Sequence, residues 1–209
     1  MKLYSYWRST TAYRVRIALA LKGLEAEIVP VDLLAGDQKT ESYAALNPIK
    51  GVPTLELDDG TILTQSLAIL SYLDAVQPDP PLVPADPVAA AHVQAAAMAV
   101  AIDIHPVNNL KVLNKLKDIG HSQDECIAWM HHWMTEGLTA FDALIDDSTP
   151  FAFGDAPGLA DICLVAQLYN AHRWGVSLDP YPRLSAIEDR SCALPAFATA
   201  HPDNQPDAP

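Results

Sequence analysis

Cysteine is scarce in this chain, and the three present, Cys126, Cys163 and Cys192, are far apart with no C-x-x-C pair. That spacing excludes a disulfide framework and a thiolate zinc site. His105 and the pair His131-His132 show no ligand spacing either, so no metal is expected. Long apolar runs are also missing: the stretch from Val88 to Ile104 is alanine-rich and broken by His92, Gln94 and Asp103, which argues against a membrane span. The N-terminus alternates early and carries Arg8, without the apolar core of a secretory leader, so a cytoplasmic location is expected. Basic residues number 13 against 26 acidic ones, for a net charge of -13. Nucleic-acid binding needs clustered Lys and Arg, and this balance excludes it.

The shortage of bases is uneven. Before Glu25 the chain has Lys2, Arg8, Arg14, Arg16 and Lys22 and no acid at all, whereas from Asp118 onward the only Lys or Arg residues are Arg173, Arg183 and Arg190. A basic N-terminal segment in an acidic protein could hold a small anion, or could form salt bridges with the acidic half. With 209 residues, half of them hydrophobic, the chain can bury a core in one large domain or two small ones.

Lys2 to Tyr6 alternates like a strand. Thr11 to Lys22 then places Val15, Ala18, Leu19 and Lys22 at helical spacing, closed by Gly23. Ala26 to Val31 reads as a second strand, and Gln38 to Leu46 as a short helix. Thr54 to Leu57 and Thr61 to Leu63 flank the turn signal Asp58-Asp59-Gly60, and Ser66 to Val76 returns to helical periodicity. The order β-α-β-α-β-β-α predicts a thioredoxin-like α/β domain over residues 1–80. Five prolines between Gln77 and Pro87 mark a linker. Beyond it, Val88 to Lys117, Ser122 to Ile145 and Leu159 to Trp174 read as helices, the first kinked at Pro106, which predicts an all-helical domain over 87–209. The polar, proline-rich tail from His201 is expected to be loose.

Chemistry is expected where the first strand passes into the first helix. The loop Trp7-Arg8-Ser9-Thr10-Thr11 presents backbone N–H groups and a helix dipole that favour an anion, a thiolate among them, and three hydroxyls that could lower its pKa. The same hydroxyls equally suit a plain helix N-cap. In Asn47 to Leu55, Pro53 stands at the mouth of a strand, where a cis bond would turn the Val52 backbone outward to meet a peptide. Gln65-Ser66 opens another helix, an N-terminus suited to a carboxylate or to an ordinary cap.

These three elements, in this order, resemble the glutathione-binding domain of the glutathione transferases. The run Ser9-Thr10-Thr11-Ala12-Tyr13-Arg14-Val15-Arg16-Ile17-Ala18-Leu19 is similar to the zeta-class signature, in which two serines and a cysteine precede an aromatic residue and Arg-Val-Arg-Ile-Ala-Leu. Thr10 stands where that signature has its second serine and Thr11 where it has cysteine. The likeness extends through Gln65 to Ile69, Asp103 to Asn109 and Asp179 to Pro182. Gly158-Leu159-Ala160-Asp161 matches the family's buried capping box, with Gly158 where Ser or Thr is usual.

The resemblance implies a glutathione transferase fold, glutathione as cofactor, a homodimer, and a cis–trans isomerase that works by thiolate addition, bond rotation and elimination. The substrate it implies is maleylacetoacetate, with maleylpyruvate, or general glutathione conjugation, as the alternatives. It assigns Ser9, with Thr10 assisting, to the thiolate. Thr11, Gln38, Val52, Pro53, Gln65, Ser66, Asn108 and Asn109 would lie around the glutathione. Arg8 and Arg173 would face an acidic substrate, although Arg173 also ends a helix, where any cation is favourable.

Overall fold

The computed structural model describes residues 1–209. The chain forms two compact units, Met1–Pro81 with Cys192–Pro209, and Leu82–Ser191. The last 18 residues, expected with the helical domain, belong to the first unit.

In that unit β1 (Lys2–Ser5), β2 (Glu27–Pro30), β3 (Thr54–Glu56) and β4 (Ile62–Thr64) make one mixed sheet in the order β2-β1-β3-β4. β1 runs parallel to β2 and antiparallel to β3, and β3 and β4 close the hairpin that Asp58-Asp59-Gly60 foretells. The parallel pair requires a crossover, and α1 (Thr10–Lys22) supplies it. A short helix α2 (Glu41–Leu46) precedes β3, and α3 (Ser66–Val76) follows β4. The predicted β-α-β-α-β-β-α order is the observed one.

α1 is buried along nearly its whole length, with α3 on one side and the C-terminal helix α9 (Pro195–Ala200) on another. Its apolar stripe therefore runs all round, and two arginines and a lysine are carried inside with it. Arg14, Arg16 and Lys22 are 1 %, 4 % and 5 % exposed. Buried cations persist only where they are well bonded. Lys22 Nζ meets Asp74 Oδ1 at 2.5 Å and the Pro80 carbonyl, fastening the end of α1 to the start of the linker. At that end Gly23 has φ 63°, the left-handed conformation of a helix C-cap, and the Leu24 N–H reaches back to Leu19 O at 2.9 Å.

The tail is not loose. Pro202 is buried, Gln205 Nε2 donates to His201 O at 2.9 Å, and Asp207 Oδ2 accepts the Trp7 N–H at 2.8 Å. Proline-rich composition suggested disorder, but a rigid segment loses little entropy on docking, and here it has buried surface and an acceptor to dock with.

The second unit is helical: α4 (Pro87–Met98), α5 (Leu110–Asp118), α6 (Gln123–Leu144), α7 (Leu159–Arg173) and α8 (Pro182–Cys192), whose final residue passes into the first unit. α4 does not simply kink at Pro106. It widens into a π-helical stretch over Ala99–Ile104, with the His105 N–H bonded to Val100 O at 3.0 Å, and tightens to a 3-10 turn over Pro106–Asn108 before α5 begins. Pro106 has no N–H to continue an α-helical ladder, and the break spreads over both flanks. The run Pro87–Asp118 reaches a mean hydropathy of 1.5 over 18 residues, enough by composition to cross a membrane. In the fold a third of that window is buried, α4 lying against α7 and the π-helical stretch against α6.

α6 begins with a capping box, Ser122 Oγ accepting the Glu125 N–H at 3.2 Å and Glu125 Oε2 accepting the Ser122 N–H at 2.7 Å. The Ser122 N–H and the Ser122 hydroxyl, both donating to Oε2, hold the Glu125 carboxyl below its usual pKa. Met130, Met134, Leu138 and Phe141 form its buried stripe. The box at α7 is half made: Gly158 has no side chain to give, while Asp161 accepts N–H groups of Gly158 and Ala152, each at 2.8 Å. A side chain at 158 would put its Cβ 2.9 Å from the Leu82 carbonyl oxygen, so the glycine there is a packing requirement.

Gly137 allows the closest approach in this unit. A Cβ at that position would lie 2.1 Å from Ile104 Cγ1 and 2.5 Å from Cδ1. Gly137→Ala should lower stability by about 1–3 kcal/mol through overpacking. In an Ile104→Ala background the same change should cost much less, a difference that denaturant unfolding of the four proteins measures.

Candidate active site

The first unit gathers most of the residues singled out from the sequence. β1 ends at Ser5, the chain turns with the Ser9 N–H on Tyr6 O at 2.9 Å, and α1 starts at Thr10. Arg16, almost two turns further along the helix, holds this turn. Its guanidinium donates to Ser5 Oγ at 3.0 Å, to Trp7 O at 2.9 Å and to Ala200 O at 3.0 Å. Asp207 adds its bond to the Trp7 N–H from the other side. The turn bearing Arg8 and Ser9 is thus fixed by charged groups rather than left as a mobile loop.

Ser9 is the N-cap of α1, accepting the Ala12 N–H at 3.2 Å, so the plain cap reading is correct for one of its lone pairs. Its Oγ also lies 2.9 Å from Thr11 Oγ1, which donates to the Val52 carbonyl at 2.8 Å. Thr10 is buried at the first helical position. Arg8 is half-buried, with its guanidinium 3.5 Å from Tyr6 Oη and 5.1 Å from the Trp7 ring centroid.

The bond from Thr11 brings the mouth of β3 to the helix. The Val52–Pro53 peptide is cis, as expected. A clamp missed in the sequence shapes the approach to it: Asn47 Nδ2 donates to Gly51 O at 2.9 Å and Thr54 Oγ1 at 3.0 Å, while Asn47 Oδ1 accepts the Ile49 N–H at 3.1 Å. Tyr43 Oη donates to the same Gly51 carbonyl at 2.7 Å. Burial pushes the Tyr43 phenol pKa up, which keeps it protonated as that donor. An Asn directly before a Pro was the available sequence signal.

α3 opens differently from α1. Gln65 precedes it at φ 69°, a conformation costing about 1–3 kcal/mol for a residue with a Cβ, and makes no side-chain cap. The first-turn N–H groups and the buried Ser66 hydroxyl therefore form a donor set suited to a carboxylate. Arg14 Nη1 stands 3.4 Å from Ser66 Oγ, a buried positive charge behind that helix start. The sequence places it in the basic segment and in the signature run, and a charge within a helical stripe is the sign of something more. Gln38, in the 3-10 turn Asp37–Lys39, is buried, donates to Leu33 O at 3.3 Å and leaves its Oε1 without a partner.

Asn108, Asn109 and Arg173 belong to the second unit. Asn108 is 8 % exposed, and neither polar atom of its side chain has a partner within the protein. Asn109 is engaged locally, its Oδ1 capping α5 by accepting the Lys111 N–H at 3.0 Å. Arg173 is exposed in the last turn of α7, 4.8 Å from the Trp174 ring centroid.

Residues 1–75 match the glutathione S-transferase N-terminal domain and residues 128–190 the glutathione S-transferase C-terminal domain. The maleylacetoacetate isomerase of Pseudomonas aeruginosa is 49 % identical over all of this chain and 99 % of its own. A bacterial maleyl pyruvate isomerase described as a zeta-class glutathione S-transferase, solved in its holo form, superposes with a TM-score of 0.96 at 40 % identity, both chains fully covered. The maleylacetoacetate isomerase of Methylobacterium extorquens, solved with bound malonate and glutathione, does so with a TM-score of 0.96 at 38 % identity, again over both whole chains.

The Asn47 clamp yields a test of its own. Asn47→Ala strands the Ile49 N–H and removes two donors, so stability should fall by about 2–3 kcal/mol. Hydrogen exchange should show lost protection at Ile49, while the Tyr13 amide inside α1 stays protected.

Proposed function

Since the chain belongs to the glutathione S-transferase family, in its zeta class, we propose that it is a glutathione-dependent cis–trans isomerase converting maleylacetoacetate to fumarylacetoacetate. The observation that carries this reading is the bond from Thr11 Oγ1 to Val52 O, which joins a hydroxyl-bearing helix N-terminus to the backbone at the cis-proline turn. A thiolate site and a peptide-binding edge are what glutathione needs side by side.

The donor set fits that tripeptide. Its cysteinyl backbone suits the Val52 edge, and its glutamyl carboxylate suits Ser66 and the uncapped start of α3, with Arg14 behind. The orphaned Gln38 Oε1 offers a further polar contact, and family likeness assigns one to Asn108, whose side-chain amide is orphaned within its own unit. When bound, glutathione supplies the thiolate that adds to the cis double bond, lets the resulting single bond turn, and leaves as the trans bond forms.

The protein's own residues have two tasks. Ser9 and the N–H groups at the start of α1 favour the ionised sulfur over the thiol. Arg8 bears the charge that meets the substrate's carboxylate and the carbonyl oxygen on which negative charge develops, and Arg173 is assigned the same role, since guanidinium matches carboxylate geometry with two N–H bonds. Thr10 assists Ser9, and Asn109 supports the segment that carries Asn108.

Maleylpyruvate is the second candidate substrate, because a zeta-class relative of equal structural similarity is named for it. A homodimer and a cytoplasmic location belong to the same proposal, supported by family membership.

Purified protein should isomerise maleylacetoacetate only when glutathione is present and should leave the glutathione concentration unchanged. Ser9→Ala should lower kcat/KM on the order of 100-fold near neutral pH. Glutathione consumed in step with substrate would instead establish conjugation, and faster turnover of maleylpyruvate would reverse the order of the two substrates.

A further inference from the structure

Thr11 occupies the position at which the zeta signature has cysteine, and its hydroxyl group fixes the direction of a hydrogen-bond chain. Thr11 Oγ1 donates to Val52 O at 2.8 Å and lies 2.9 Å from Ser9 Oγ. A threonine hydroxyl carries one proton, and a carbonyl oxygen can only accept. The Thr11 proton is therefore spent on Val52, and the bond between the two hydroxyls is made with the Ser9 proton. Ser9 Oγ already accepts the Ala12 N–H at 3.2 Å. It is left with one lone pair and no proton to offer.

That arrangement suits a thiol, which donates, better than a thiolate, which only accepts. Stabilising the ionised sulfur requires the Ser9 proton to turn away from Thr11. We propose that Thr11 is a positioning residue that competes with the glutathione sulfur for the Ser9 proton, holding the pKa of the bound thiol above the value Ser9 alone would set. The inference rests on the reading that places that sulfur at Ser9.

The competition depends on the hydroxyl and not on the bulk of the side chain. Valine fills the same volume without an acceptor, and a cysteine sulfur is a poor one. The bond from Ala12 N–H keeps Ser9 oriented when Thr11 is changed, so loss of the Thr11 oxygen frees the proton without releasing the rotamer.

Ultraviolet absorbance of the thiolate, titrated against pH on the enzyme saturated with glutathione, measures this directly. Thr11→Val should raise the ionisation constant of the bound thiol about tenfold, a fall of roughly one pKa unit. Thr11→Cys should shift it in the same direction, providing a second reading if the valine variant folds poorly. Thr11→Ser, which restores the hydroxyl, should titrate like the parent. An unchanged or raised pKa in both Thr11→Val and Thr11→Cys overturns the inference, as does a Thr11→Ser variant that titrates like valine. Ser9→Ala separates the two levels of the argument: a raised pKa there with no shift in the Thr11 variants sinks only the role of Thr11, whereas no shift in Ser9→Ala removes the sulfur from Ser9 and the site reading with it.

Discussion

The Arg16 guanidinium is the contact on which the active-site turn depends. Buried among Ser5, Trp7 and Ala200, it ties the exit of β1, the turn before α1 and the end of α9 to one charge. Such a group is costly to bury and very costly to leave short of partners, so the three acceptors must stay where they are. The Ser9 turn is held in position by that requirement. Arg14, on the same helix, extends the principle to the start of α3 through Ser66. One buried helix with two internal arginines thus sets the spacing between the hydroxyl cluster and the carboxylate site.

The Asn47 and Tyr43 clamp completes the frame from the other side. Both donate to the Gly51 carbonyl, and Thr54 is shared between them, so the residues before the Val52–Pro53 peptide have few alternatives. The strained φ of Gln65 belongs to the same logic, because a backbone held in that region persists only when its surroundings over-determine it. The site is preorganised by amides, hydroxyls, internalised arginines and the Asp207 carboxylate on the Trp7 N–H, and neither α1 nor α3 has an acid in its first turn.

Much of this was legible in the sequence. The β-α-β-α-β-β-α order followed from alternation, helical spacing and the Asp-Asp-Gly turn, because those signals are local and each element keeps its intrinsic preference. Ser9, Val52, Pro53 and Ser66 stood out since strand ends and helix starts announce themselves by residue type. What escaped is non-local. Nothing in the residues themselves says that Arg16 meets Ala200, that Asp207 reaches Trp7, or that Asn47 spans to Thr54, since each bond joins segments distant in the chain or across a turn. The tail was misread for the same reason, as composition reports flexibility of the free chain and not the partners waiting for it, such as the Trp7 N–H that donates to Asp207. Pro106 signalled a break correctly, but not the π-helical stretch before it, whose last residue, Ile104, packs against Gly137 from a segment distant in the chain.

The central claim is that Ser9, at the start of α1, holds the sulfur of glutathione. A crystal structure of the protein with glutathione bound addresses it most directly. The account requires the sulfur within hydrogen-bond reach of Ser9 Oγ, with the glutamyl carboxylate at Ser66 and the first turn of α3. Sulfur resting against another group and out of reach of Ser9 would contradict it.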